Sequence, residues 1–401
     1  MRSNRIVAAS AALLVLLASL LAGCGSSTKD AAPGESASAA LSKSPVVIGN
    51  IGDYSGSSFT DEYRQALHGL ETWVQWTNEH GGLNGHPVKL VSHDDQNDPA
   101  KSVLYMKQMV ESDHVVAILS PIAQGTDSSW AEYVKDRKVP VIGGSALDAN
   151  WMTNPYMLTA NTTPVGYITA QLAAAKTIGK KFGMFTCIEQ AACKSGVALF
   201  QQIAGTLGLG WAGAQYVSTT ATDYIAPCLA MKAAGADVVA PESSAETIVR
   251  IVAACKQQNY HPGVVLPTAN LDETAIANPA LDGSLGVSYT PLWYEDTPVT
   301  HDFLAEYKKM FPDETPGGHA PQGWQAGVVL AAALKDAPDT VTSQTVLDGL
   351  YAQPANSTFG GWTPPITYVK GKPAQVKPCL WYTGIQNGKL TAPDGTDLIC
   401  S

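Results

Sequence analysis

The chain has 401 residues, of which 45% are hydrophobic and 15% charged, with 36 Gly, 25 Pro and 7 Cys. So large an apolar fraction excludes a disordered chain, and Gly and Pro without a G-X-Y period exclude collagen. With 25 basic against 35 acidic residues, a net charge of −10, the chain lacks the basic face of a nucleic-acid binder; its length suits two ordinary domains or one large one.

The first residues carry Arg2 and Arg5 and no acid, followed by an apolar run over 11–21 and then Leu21-Ala22-Gly23-Cys24. A short basic segment, an apolar stretch and small residues before a cut site describe a secretory signal over 1–23. Cys24 directly after Leu-Ala-Gly looks like a bacterial lipobox, implying cleavage before Cys24 and lipid attachment there; a plain signal peptide with an incidental Cys is the alternative. Residues 24–44 are rich in Ser, Ala and Gly and read as a lipidated Cys and flexible tether. No later stretch approaches ~18 unbroken apolar residues, so no further membrane span is expected.

From Pro45 the pattern alternates. Strands are predicted at 46–49, 88–91, 115–119 and 139–142, and helices at 62–79, from Pro99 onward and at 127–137. Asp98-Pro99 supplies a cap and a first-turn proline, and Val103, Met106 and Val110 form the expected buried face. The alternation resumes with strands at 182–186, around 216–217, at 237–240 and 264–266, and helices at 194–207, 225–234 and 247–259. Strands apolar throughout, alternating with amphipathic helices, mean parallel sheets covered on both faces. About eight such units fit two doubly wound lobes better than one sheet.

Such sheets bind ligands beyond the carboxyl ends of their strands. The loops there include 52–56, 120–127, 143–148, 187–193, 241–244 and 267–270, most of them rich in Gly, Ser, Thr and Gln. With Cys24 used as anchor, six cysteines remain, and an oxidising compartment favours three disulfides. Proximity in the chain suggests Cys187–Cys193, Cys228–Cys255 and Cys379–Cys400 among fifteen possible pairings, with unpaired buried cysteines as the alternative. The histidines are not interleaved with the cysteines at ligand spacing, so no metal is expected.

The sequence resembles the type I solute-binding proteins of ABC importers, in their leucine/isoleucine/valine-binding branch. The residues that carry this are IGNIGDYSGSS at 48–58, NEHGGLNGHPVKLVSHDDQNDPAKS at 78–102, VVAILSP at 115–121, VPVIGGSA at 139–146 and ADVVAPES at 236–243. The likeness runs from about residue 45 and weakens after Gly360. It implies an α/β fold of two doubly wound parallel-sheet lobes, 45–161 plus 290–359 and 162–289 plus 360–401. Three hinge crossovers near Asn161, Tyr289 and Gly360 would join them. Hinge closure would bury a small polar solute, such as an amino acid or a related amide or carboxylate, and the closed form would dock on permease subunits. No cofactor or enzymatic activity is implied, and the protein would sit lipid-anchored on the extracytoplasmic face.

By the same resemblance the ligand carboxylate would meet Gln124, Gly125 and Thr126 and then Ser145, Ala146 and Leu147. Leu147 stands where the family usually has a hydroxyl. The family's second-lobe Tyr falls near Cys193 and its ammonium-binding acid near Thr268. Glu242 and Glu189, each in a loop after a strand, are candidate replacement carboxylates; a solvated loop acid is the other reading for both. Tyr54 and Trp324 are candidate aromatic walls, Trp324 being equally suited to core packing, with Trp151, Trp293 and Tyr294 weaker. Ser55 and Gln124 are expected to touch ligand.

Other motifs lack their context. Gly208-Leu-Gly210-Trp-Ala-Gly213 precedes a strand instead of following one, and no G-x-S-x-G or H-E-x-x-H occurs. His80, His86, His93, Asp94 and Asp95 flank a turn and a strand and read as surface residues. The competing functions are a sensor subunit presenting solute to a receptor and, with no nucleophile–base pair in evidence, a hydrolase on the same scaffold.

Overall fold

The computed structural model describes residues 41–144, 148–189 and 191–400. The signal segment, Cys24, the tether up to residue 40 and Ser145, Ala146 and Leu147 lie outside them. Among the described residues no helix is long and apolar enough to cross a membrane.

The chain begins as β1 (Val46–Gly52), α1 (Thr60–Glu79), β2 (Val88–Asp94), α2 (Pro99–Glu111), β3 (Ala117–Leu119), α3 (Asp127–Arg137), β4 (Val141–Ile142), α4 (Asn150–Thr153) and β5 (Met157–Leu158). The five strands form one parallel sheet in the order β2-β1-β3-β4-β5. Local chemistry sets these elements as the sequence suggests. The Asp98 carboxylate accepts the N–H groups of Ala100 at 2.8 Å and Lys101 at 3.3 Å, and Pro99 opens α2. That helix buries Ser102, Met106 and Met109, while Val103 and Val110 are only half-buried.

A second lobe follows with α5 (Pro164–Ile178), β6 (Lys181–Cys187), α6 (Ala191–Thr206), β7 (Gly210–Val217), α7 (Ile225–Ala233), β8 (Val238–Glu242), α8 (Ala245–Gln257), β9 (Gly263–Pro267), α9 (Glu273–Ile276) and β10 (Leu285–Ser288). The chain then returns as α10 (His301–Met310), α11 (Ala320–Ala333) and α12 (Ser343–Tyr351), and runs through β11 (Ile366–Thr367), β12 (Gln375–Val376), β13 (Cys379–Gln386), β14 (Lys389–Thr391) and β15 (Ile399–Cys400). The second sheet has the order β14-β13-β10-β9-β8-β6-β7, with β15 beside β13. It is parallel from β10 to β7, as expected, but β13 pairs antiparallel with β10, β14 and β15. The turn Asn387-Gly388 has both residues at positive φ, 52° and 70°, as a tight two-residue hairpin requires.

Helix α11 belongs to the first lobe. It lies on α1, whose stripe Tyr63, Ala66, Leu70, Trp73 is buried. Glycines set the approach: a Cβ at Gly69 would stand 1.7 Å from the Ala320 carbonyl oxygen, and one at Gly327 would stand 2.0 Å from the Trp73 ring. The first core holds Ile48, Leu119, Ile142, Trp324 and Val329, and also Trp362, Ile366 and Tyr368. The crossover expected near Gly360 therefore comes later. The β11–β12 hairpin stays with the first lobe, where the Tyr368 hydroxyl donates to Thr159 O at 2.8 Å, and the chain enters the second sheet only at Cys379. The three disulfides are Cys187–Cys193, Cys228–Cys255 and Cys379–Cys400, the pairs suggested by chain proximity.

Candidate ligand-binding cleft

The loops past the strand ends of the two lobes face one another across a cavity of about 170 Å³. From the first lobe come Phe59, Tyr63, Gln124, Ala149 and Met152; from the second come Tyr167, Ile168, Met184, Phe200, Glu242, Ser243, Asn270 and Tyr289, with Cys193 of the Cys187–Cys193 disulfide. The wall is mostly aromatic and aliphatic, the ordinary make-up of a small-molecule site.

Glu242 ends β8 and is the carboxylate of this wall. It accepts Gln171 Nε2 at 2.5 Å on one oxygen and the Tyr167 hydroxyl at 3.3 Å on the other. Tyr167 and Gln171 stand one turn apart on α5, so one helix face supplies both donors. Burial outweighs these two bonds and raises the carboxyl to about 7. Beside it the Ser243 hydroxyl is buried without a hydrogen-bond partner among the described residues.

A polar chain closes the far wall. His319 Nε2 lies 3.1 Å from Asn270 Oδ1, and its Nδ1 lies 2.5 Å from Gln322 Nε2. The amide must donate to Nδ1, so Nε2 carries the proton toward Asn270. Burial pushes His319 down to about 3, and it is neutral. Asn270 in turn donates to Ser243 O at 2.9 Å. His319 precedes α11 in the first lobe and Asn270 follows β9 in the second, so this chain spans the cleft.

Two helix N-termini at the cleft meet carboxyl groups of the protein itself. The Ala245 N–H of α8 donates to Glu62 Oε1 of α1 at 3.0 Å. At α3, Asp127 accepts Trp151 Nε1 at 3.1 Å and lies against Asp148; burial and that neighbouring acid hold Asp127 well above the usual carboxylate range. Among the described residues no His, Cys, Asp or Glu group could hold a metal ion.

The profile of the periplasmic binding proteins matches residues 45–388. The chain is a periplasmic binding protein. It is 22% identical to the Leu/Ile/Val-binding protein homolog 7 of Brucella suis over 324 residues, 74% of this chain and 79% of that protein. Its fold superposes on the leucine binding protein of Thermotoga maritima with a TM-score of 0.73 at 16% identity, covering 88% of this chain and 99% of that one. The fatty acid ABC transporter substrate-binding protein of Thermomonospora curvata gives a TM-score of 0.76 at 16% identity over 91% and 95%. A solute-binding protein of R. palustris in complex with benzoate gives 0.72 at 18% over 89% and 98%. The chain is thus an extracytoplasmic substrate-binding protein and not an enzyme.

In this binding protein the residues singled out by sequence divide sharply. Gln124 and Glu242 line the cavity. Gly125 lies beside Gln124, its Cα packed toward Asn97. Thr126 turns inward, donating to Asp95 Oδ2 at 2.6 Å and accepting Ser102 Oγ at 3.1 Å. Thr268 bonds Thr383 within the second sheet at 2.7 Å. Tyr54 is buried against Gly52 and donates to Asn50 Oδ1 at 2.7 Å, and the exposed Ser55 is bound to the half-buried Asp94 carboxylate. Glu189 faces the Ser218–Thr219 turn, accepting Ser218 Oγ and Thr219 N at 2.8 Å each. Trp324 packs with Trp76, Phe303 and Trp362 in the first core, away from the cleft. Sequence reasoning named the loops that hold Ser243 and Asn270 without singling out these residues, and it missed Tyr167, Gln171 and Tyr289 as site residues. For Tyr167 and Gln171, the spacing of four on one helix face was the available signal.

Proposed function

We propose that this protein is the lipid-anchored binding component of an ABC importer, that it takes up a small solute with a largely apolar body in the interlobe cleft, and that the lobes close around it. Glu242, held by Tyr167 and Gln171, carries this reading: it is an ionisable anchor in a cavity whose wall is mostly aromatic and aliphatic. The relatives that support it include proteins named for leucine and fatty acid and one in complex with benzoate, all of them solutes with an apolar body. Export through residues 1–23, lipid on Cys24, a tether over 24–44 and docking of the closed form on permease subunits complete the proposal.

Closure would be favoured by the Glu62–Ala245 and His319–Asn270 bonds that span the cleft, together with whatever the ligand adds to both walls. A thermal-shift screen of amino acids, amines, amides and small aromatic and aliphatic acids tests the reading, followed by small-angle scattering. A ligand at 100 times its dissociation constant should stabilise by about 2.7 kcal/mol and compact the protein. A screen with no stabilising solute, or recovery of a chemically altered one, overturns it.

A further inference from the structure

We infer that the solute is a cationic amine lacking a carboxylate, its ammonium group held by Glu242 inside the aromatic wall; this rests on the solute-binding reading above. Charge is the first argument. Among the described residues that line the cavity Glu242 is the only ionisable carboxyl, and none is Lys, Arg or His. Residues 145–147 and 190–192, outside or at the edge of the described segments, are uncharged by sequence.

The second argument is the fate of the positive helix ends. A solute carboxylate in such a fold would seek backbone N–H groups at a helix N-terminus. At α8 that place is taken by Glu62, bound to Ala245 N at 3.0 Å. At α3 the helix start carries Asp127 with Asp148 against it. At both ends a carboxyl of the protein already holds the place that a solute carboxylate would take.

The third argument is the wall itself. Phe59, Tyr63, Tyr167, Phe200 and Tyr289 line the cavity, and the faces of aromatic rings attract cations. Each Glu242 oxygen receives one bond from α5 and keeps lone pairs for an ammonium donor. The unpartnered Ser243 hydroxyl on the same wall supplies a second acceptor. The volume, about 170 Å³, suits a one-ring or branched-alkyl amine, since a cavity of about 150 Å³ takes benzene.

Benzylamine, benzyl alcohol, benzoate and phenylalanine share one ring and differ in charge, so calorimetry with these four on the mature protein and on Glu242→Gln is the test. Benzylamine should bind tighter than benzyl alcohol by roughly tenfold or more at pH 8. That advantage should shrink below pH 7 as Glu242 takes up a proton; the other titratable groups facing it, Tyr167 and Tyr289, are pushed up by burial and stay neutral. Glu242→Gln should lose the advantage while keeping benzyl alcohol binding, which also reports an intact cavity. Tighter binding of benzoate or phenylalanine, or an unchanged benzylamine affinity in Glu242→Gln, overturns the amine and leaves solute binding standing. Failure of all four probes together with the wider screen overturns both.

Discussion

Glu62 in the first turn of α1 accepts the backbone N–H of Ala245 at the start of α8 at 3.0 Å, across the cleft and 183 positions along the chain. Ser244 makes no side-chain cap for α8, so a residue of the other lobe does that work. Burial raises Glu62 to about 7 from an ordinary 4.5, with Asp272 and Asp61 adding to the rise and the Ala245 bond opposing it. On the closure proposed above, a carboxyl raised by burial between the lobes favours the closed form fully below about 4.5, and that contribution is lost as pH rises through 7. The unliganded protein should therefore grow more compact in small-angle scattering as pH falls from 8 to 5. Glu62→Gln should flatten that dependence; a wild-type radius constant over this range would contradict the assignment.

Trp324 and Gln124 should separate stability from binding. Trp324→Ala removes the centre of the cluster with Trp76, Phe303 and Trp362 and should cost about 3–5 kcal/mol in urea unfolding, with ligand affinity unchanged in the folded fraction. Gln124→Ala should weaken affinity with little effect on stability, because it lines the cavity. Ser55→Ala, expected from sequence to weaken binding, should leave it unchanged, since the exposed Ser55 bonds Asp94 and does not line the cavity.

The α1–α11 contact has no room for side chains at its glycines. At Gly323 a Cβ would stand 2.2 Å from Ala66 O and 2.3 Å from Leu70 N, both backbone atoms. Gly323→Ala should destabilise by about 1–3 kcal/mol or more, as overpacking does. Gly205→Ala, with nothing within 4 Å, should be neutral or stabilising in a helix. Equal melting temperatures for the two variants would count against this packing.

The disulfide Cys228–Cys255 ties α7 to α8 over a separation of 27 residues, within the buried core of the second lobe. Its replacement by two alanines should cost about 2–4 kcal/mol, mainly by freeing the unfolded chain. Cys187–Cys193 closes only 6 residues and places Cys193 on the cavity wall. Its removal should change ligand affinity more than it changes the unfolding midpoint.

Much of the scaffold is legible locally. The spacing that predicts a helix over 127–137 matches α3 residue for residue, and Asp98-Pro99 opens α2 as capping rules require. Helix α5 is harder to see: it buries Gly166, Tyr167, Ile168, Ala170, Gln171 and Leu172 in near-continuous succession, so no single apolar stripe marks it. The antiparallel strands β13 to β15 carry no helix between them, and the alternating pattern that marks the rest of the fold stops before they begin.

By itself the sequence determined the α/β alternation, the helix caps, the supply of paired cysteines and a set of loops at the strand ends. These depend on residues within a few positions of one another, through hydrogen bonds and side-chain periodicity. Only the tertiary structure decided which of those loops share a cavity. It turned Tyr54, Thr126, Thr268 and Trp324 inward, set Gln124 and Glu242 on the wall, and gave Glu62 to a helix of the other lobe. Whether a carboxylate faces water, a helix end or a mostly apolar cavity depends on groups brought from far along the chain, 71 positions for Gln171 and Glu242 and 183 for Ala245 and Glu62.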